Sequence, residues 1–184
     1  MKRFAIFVTG FFFLATVSAM AGPLTGTKEI SLRDADGGQT VIGHVHFSQD
    51  GDHAAYEIQF LEEAFTDHFL SMRPFKCLEG SDKHWCHVPY PYPILRRVSA
   101  DDLTDLEYDF LFIWKGATEY GINTWNGVYY LLKVDEDRLI GRLHEMDMSI
   151  LSAPPDAGDM RPIQAPDLHE GDPDSHWLSE LVIE

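Results

Sequence analysis

Both cysteines of the chain, Cys77 and Cys86, stand in one stretch, FKCLEGSDKHWCHVPYPY (residues 75–92), beside His84, His87, Tyr90 and Tyr92. Three chemistries suit those residue types: metal ligation, haem attachment, or a disulfide across a hairpin. A metal site would need Cys77, His84, Cys86 and His87 to converge. Cys86 and His87 are adjacent, and adjacent residues of a strand point to opposite faces. Structural zinc sites usually space their ligand pairs by two to four residues. The haem pattern C-x-x-C-H would need a cysteine where Lys83 stands. The choice therefore turns on the redox compartment.

The N-terminus bears on that. Met1, Lys2 and Arg3 form a basic start, residues 4–17 carry no charge, and VSAMAG places Ala19 and Ala21 before a cleavage point ahead of Gly22. These are the three parts of a secretory signal. The alternative is an uncleaved anchor, because the apolar stretch approaches the ~18 residues that span a bilayer. Thr16, Ser18 and the cleavage pattern favour removal of residues 1–21. No later segment is long and apolar enough to cross a membrane as a helix. The sequence thus predicts a soluble exported protein, periplasmic or extracellular. There two lone cysteines pair, and a Cys77–Cys86 bridge would stabilise the fold by about 2–3 kcal/mol.

Other residues offer chemistry of their own. His44 and His46 project to one side of a strand, as a strand-borne metal site requires, with His53, Glu57 or His68 available as a third ligand. Glu145 and Asp147 also share a face and could act as an acid–base pair, although solvated edge charges are the simpler account in a chain with 30 acids. DADGG falls short of a calcium loop, since Gly38 and Gln39 occupy the positions that need an oxygen ligand and a glycine. Residues 114–130, WKGATEYGINTWNGVYY, intersperse aromatics with glycines and amides. Tyr120, Asn123, Trp125 and Asn126 are the candidate ligand-binding residues, while Trp114 and Tyr129 read as core. No G-x-S-x-G, H-E-x-x-H or phosphate-loop pattern occurs, so no catalytic residue is assigned.

The elements that must position these groups are mostly strands. KEISLR, TVIGHVHF and AAYEIQFL are separated by Asp/Gly turns and predict a meander in which Ile42 shares a face with His44 and His46. Two strands flank the cysteine turn. A short helix is expected from Ser99, with Asp101 and Asp102 in its first turn, followed by a buried strand in DFLFIW. GVYYLLKV and LIGRLHEMDM predict a hairpin around DEDR, similar in style to those of lipocalin-like barrels, although the Gly-x-Trp signature of that family is absent. After Ser152 five prolines predict an irregular segment, with WLSELVIE tying down the C-terminus. The fold class is mainly β, an antiparallel barrel or sandwich with one or two short helices. Residues 22–151 form the β-rich domain, and 152–184 pack on or trail it.

With 14 basic against 30 acidic residues the 184-residue chain has a formal charge of −16. Loss of Lys2 and Arg3 with the signal makes it more negative. Such a charge excludes nucleic acid as a partner. The reading that results is an exported, non-enzymatic β-domain binding a small molecule or an envelope protein, without a cofactor. Its alternative is a metal-binding protein or metal-dependent enzyme built on His44 and His46, and a third reading has the acidic segment 152–176 docking on a partner.

Overall fold

The structure, a computed structural model, describes residues 24–184; the signal expected at 1–21 lies outside the described residues. Strands β1 (Gly26–Arg33), β2 (Gln39–Asp50) and β3 (His53–Phe60) form the expected antiparallel meander. Its first turn is closed by Asp34, whose Oδ1 accepts from the amides of Asp36 (3.0 Å) and Gly38 (2.6 Å). Gly37 there has φ +84°, a conformation that L side chains resist. Next come β4 (Thr66–Leu70), β5 (Arg73–Glu79), β6 (Lys83–His87) and the short β7 (Arg97–Val98). Helix α1 (Thr104–Tyr108) precedes β8 (Phe112–Gly116), β9 (Gly127–Asp135) and β10 (Arg138–Met146). The chain ends in β11 (His169–Glu170) and β12 (Glu180–Ile183).

All twelve strands of the described residues belong to one sheet, ordered β4-β5-β6-β8-β9-β10-β12-β1-β2-β3-β7, with β11 beside β10. The sheet is antiparallel and not closed: β4 ends one side and β7 the other. β12 occupies its middle, pairing Val182 with Ser31 of β1 and with Ile140 of β10. Leu181, Val182 and Ile183 are all buried, so ELVI needs apolar residues on both faces rather than in alternation.

Two apolar layers result. One face carries Ile30, Leu32, Val45, Leu78, Trp85, Tyr130 and Leu181 in a single core. The other is covered by irregular segments, through Tyr108, Leu111, Ile113, Tyr129 and Ile163 in one cluster and Leu70, Cys77 and Cys86 in another. Trp85 Nε1 donates to Tyr130 Oη (3.0 Å), whose hydroxyl donates to Leu178 O (2.8 Å), so these two buried side chains are satisfied within the first core.

Three local expectations change. Ile42 does not share a face with His44 and His46. A register shift opposite Ile30 and Ser31 turns it inward, fully buried, because a bulge reverses the alternation on either side of it. The helix starts later than Ser99: Ser99 and Asp102 pair backbone to backbone in a turn, and Asp102 Oδ1 accepts from Thr104 N (3.1 Å) at the helix entrance. Strand β4 was not foreseen, since its hairpin to β5 turns on Ser71 (φ +48°) and Met72 (φ +66°) rather than on glycine or asparagine.

Residues 152–176 are mostly irregular yet firmly attached. Arg161 donates to Asp105 through Nε (2.8 Å) and pairs with Asp102 through Nη1 (2.7 Å), while Ile163 N donates to Tyr108 Oη (2.8 Å). The Asp105 carboxylate is buried. Replacing Arg161 by Ala leaves that charge without its cation, with only the Arg97 amide (3.3 Å) still donating to it, and the expected cost is about 3 kcal/mol. Thermal unfolding should show it as a fall in Tm of roughly 6–12 °C; an unchanged Tm would mean that the segment does not brace the fold.

Candidate functional site

The β5–β6 hairpin answers the question its cysteines raise. Cys77 and Cys86 are register partners with Cα atoms 4.0 Å apart, and they form a disulfide. The intervening turn closes through Gly80 N donating to Lys83 O (3.1 Å), and a Cβ at Gly80 would come within 2.7 Å of the Trp177 ring. Leu78 and Trp85 face the main core, so the cysteines face the second layer. His87 points away from Cys86, packing at 4.8 Å from the Phe60 ring and 5.4 Å from Phe112, with Nε2 donating to Asp109 O (3.0 Å).

Beside the bridge lies a cleft of about 480 Å³, within the range of small-molecule sites. Its apolar walls are Phe75, Ile113, Ile122 and Met148, and its polar groups include Ser71, Thr124, Arg73 and Lys76. Among the described residues no carboxylate lines it, whereas four other surface clefts each carry at least two. Lys76 Nζ is held by Glu62 (2.7 Å) and Asp67 (3.0 Å). Arg73, exposed at the rim, has no ion pair among the described residues. The β4–β5 turn sets this rim: Ser71 Oγ accepts from Ile122 N (3.3 Å), joining the hairpin to the 120–125 segment.

The four ligand-binding residues expected from the sequence adjoin the cleft and do not line it. Tyr120 and Trp125 stand in solvent, 82% and 74% exposed. Asn123 Oδ1 accepts from Trp125 N (3.2 Å), and Asn126 Nδ2 donates to Trp114 O (3.2 Å), so both amides hold the loop's shape. Ile122 and Thr124, their neighbours, supply the lining instead. Trp114 is half-buried beneath Lys83 Nζ, 4.2 Å from its ring centre, and Tyr129 is buried, its hydroxyl donating to Glu107.

The other candidates scatter. His44 is half-buried and His46 exposed, with His46 Nδ1 beside Thr27 Oγ1 (2.9 Å). Among the described residues no third ligand atom joins that pair. Glu145 accepts from buried His176 Nε2 (2.8 Å) and Asp147 accepts from Ser149 N (2.8 Å), so both carboxylates have local partners. Sequence reasoning passed over Arg73, Phe75 and Ile113. A signal existed: residues 68–78, HFLSMRPFKCL, contain two cations and no acid in a chain otherwise dense in acids.

No protein-family model, curated protein or solved structure matches this chain.

Burial pushes His87, and also His176 despite its bond to Glu145, below the usual 6.5. The folded state therefore keeps both rings neutral, while the unfolded chain takes up protons as pH falls through about 6.5. Stability present above that pH should decline as the pH drops towards the depressed values. Urea midpoints at several pH values between about 7.5 and 5.5 test this, and His87→Leu should flatten the decline relative to the parent protein.

Proposed function

We propose that this is an exported, non-enzymatic binding domain whose cleft beside Cys77–Cys86 takes a small amphipathic anion, with an apolar body along Phe75, Ile113, Ile122 and Met148 and an acidic head at Arg73. The observation that carries this reading is the charge of the lining: two cations and no carboxylate, in a chain of net charge −16. Repulsion by the surrounding surface would disfavour an anion everywhere else. Apolar walls supply the affinity and the cation selects the head group. The cleft's size suits a small molecule better than a protein, because stable protein interfaces bury roughly 800 Å² on each partner. The disulfide and the signal pattern in residues 1–21 support an oxidising compartment outside the cytoplasm.

Titration with decanoate, and with a fluorescent anilinonaphthalene sulfonate, tests the reading. Single-site binding is expected. Arg73→Ala should weaken it about tenfold, the worth of one partly exposed charge-assisted hydrogen bond, and Ile122→Glu should abolish it. Decanol, with the same apolar body and no charge, should bind more weakly than decanoate. Equal binding of the two, or indifference to both substitutions, would sink the proposal.

A further inference from the structure

On the face that carries the disulfide, three potential metal ligands converge from three consecutive strands: His68 of β4, Glu79 of β5 and His84 of β6. One ligand atom from each lies within 4.8 Å of the others, and His68 Nε2 is 2.8 Å from Glu79 Oε1. The His68 and His84 ring centres are 5.2 Å apart. His84 is only 9% exposed, and its Nδ1 is buried without a hydrogen-bond partner among the described residues. A buried ring nitrogen with nothing to bond is costly unless a ligand satisfies it. We propose that His68, Glu79 and His84 bind a divalent first-row transition ion, Zn²⁺ by their ligand chemistry, with a fourth position open to solvent.

Two imidazoles and one carboxylate are a donor set for Zn²⁺ rather than for Ca²⁺ or Mg²⁺, which take oxygen ligands. Bonds of about 2.0–2.2 Å set tetrahedral ligand atoms roughly 3.4 Å apart, so the wider separations must close by about an ångström while the His68–Glu79 contact opens slightly. Glu79 and His84 are register partners across the Gly80 turn, and the Cys77–Cys86 bridge two residues along fixes that register. The staple thus preorganises two of the three ligands. Lys115, the register partner of His84 on β8, opposes a cation, although its Nζ is turned onto the carbonyl oxygens of Gly116 (2.7 Å) and Ala117 (3.5 Å). Binding replaces the His68–Glu79 hydrogen bond. It also ties the edge strand β4 to the sheet.

The test is calorimetric titration of the oxidised, chelator-stripped protein with ZnCl₂, using MgCl₂ and CaCl₂ as controls. One Zn²⁺ per chain is expected, with no Mg²⁺ or Ca²⁺ binding, and the ion should raise Tm. His84→Ala should weaken Zn²⁺ binding by at least about 100-fold, as loss of one of three ligands requires. Should His84→Ala misfold, His68→Ala on the edge strand must show the same loss. Lys115→Met should bind the ion more tightly than the parent, an effect that adventitious binding elsewhere would not show. The paired change His44→Ala and His46→Ala should leave binding unaltered. If the parent protein fails to bind Zn²⁺, or if binding follows His44 and His46 instead of His68 and His84, the assignment is wrong. The cleft proposal is unaffected by either failure, because decanoate binding does not involve these residues.

Discussion

The pairing of β12 on both its edges is the constraint on which the fold rests. Without it the sheet falls into two pieces, β7-β3-β2-β1 and β10-β9-β8-β6-β5-β4, each with a new unpaired edge. Val182 meets Ser31 on one side and Ile140 on the other, so the last residues of the chain join its first strand to its longest hairpin. Such pairing is non-local, and the loop entropy it costs must be met before its contacts reward it. Exposed strand edges invite association with other chains, which gives the central strand a protective role as well as a stabilising one. The attachment of residues 152–176 to α1 follows from the same arrangement. Arg161 and Ile163 hold the irregular segment on Asp105 and Tyr108, along the path that returns the chain to the sheet's centre.

The second face of the sheet concentrates the chemistry. Along β5 the order on that face is Phe75, Cys77, Glu79, so the disulfide stands between a wall of the apolar cleft and a member of the polar cluster. A bridge between directly opposed residues allows no slip between β5 and β6. That rigidity matters to both neighbours, because binding groups held in place by the scaffold avoid an ordering cost when a ligand arrives. The opening question about the two cysteines therefore has a structural answer: their sulfurs ligate nothing, and they fix the geometry of groups that can.

Charge is distributed to match. Acidic side chains cover much of the surface and line the other clefts, whereas the β4–β5 hairpin contributes Arg73 and Lys76. Lys76 is neutralised by Glu62 and Asp67, which leaves Arg73 as the cation at the rim without an ion pair among the described residues. A lone cation on a strongly negative protein acts locally, since salt screens its field within about 8–10 Å. Its influence reaches a ligand in the cleft and little beyond.

Much of the local structure was legible in the sequence, because short-range physics fixes it. Asp/Gly turns and period-two alternation specified the meander, and GVYYLLKV with LIGRLHEMDM specified the β9–β10 hairpin. Two cysteines nine positions apart implied their own bridge. Ser71 and Met72 concealed a strand, since a turn with positive φ at residues other than glycine leaves no compositional mark. The bulge at Ile42 was equally silent, because it depends on how β1 and β2 meet and not on either alone. The sites lay beyond sequence reasoning for a related reason. His44 and His46 are neighbours in sequence and find no third ligand among the described residues, whereas His68, Glu79 and His84 come from three strands that only the sheet's register brings together. The cleft draws Arg73, Ile113 and Met148 from distant segments in the same way. Residue types and local turns were set by the chain itself; which side chains converge was decided by the tertiary pairing, since proximity across strands depends on register and local pattern does not encode it.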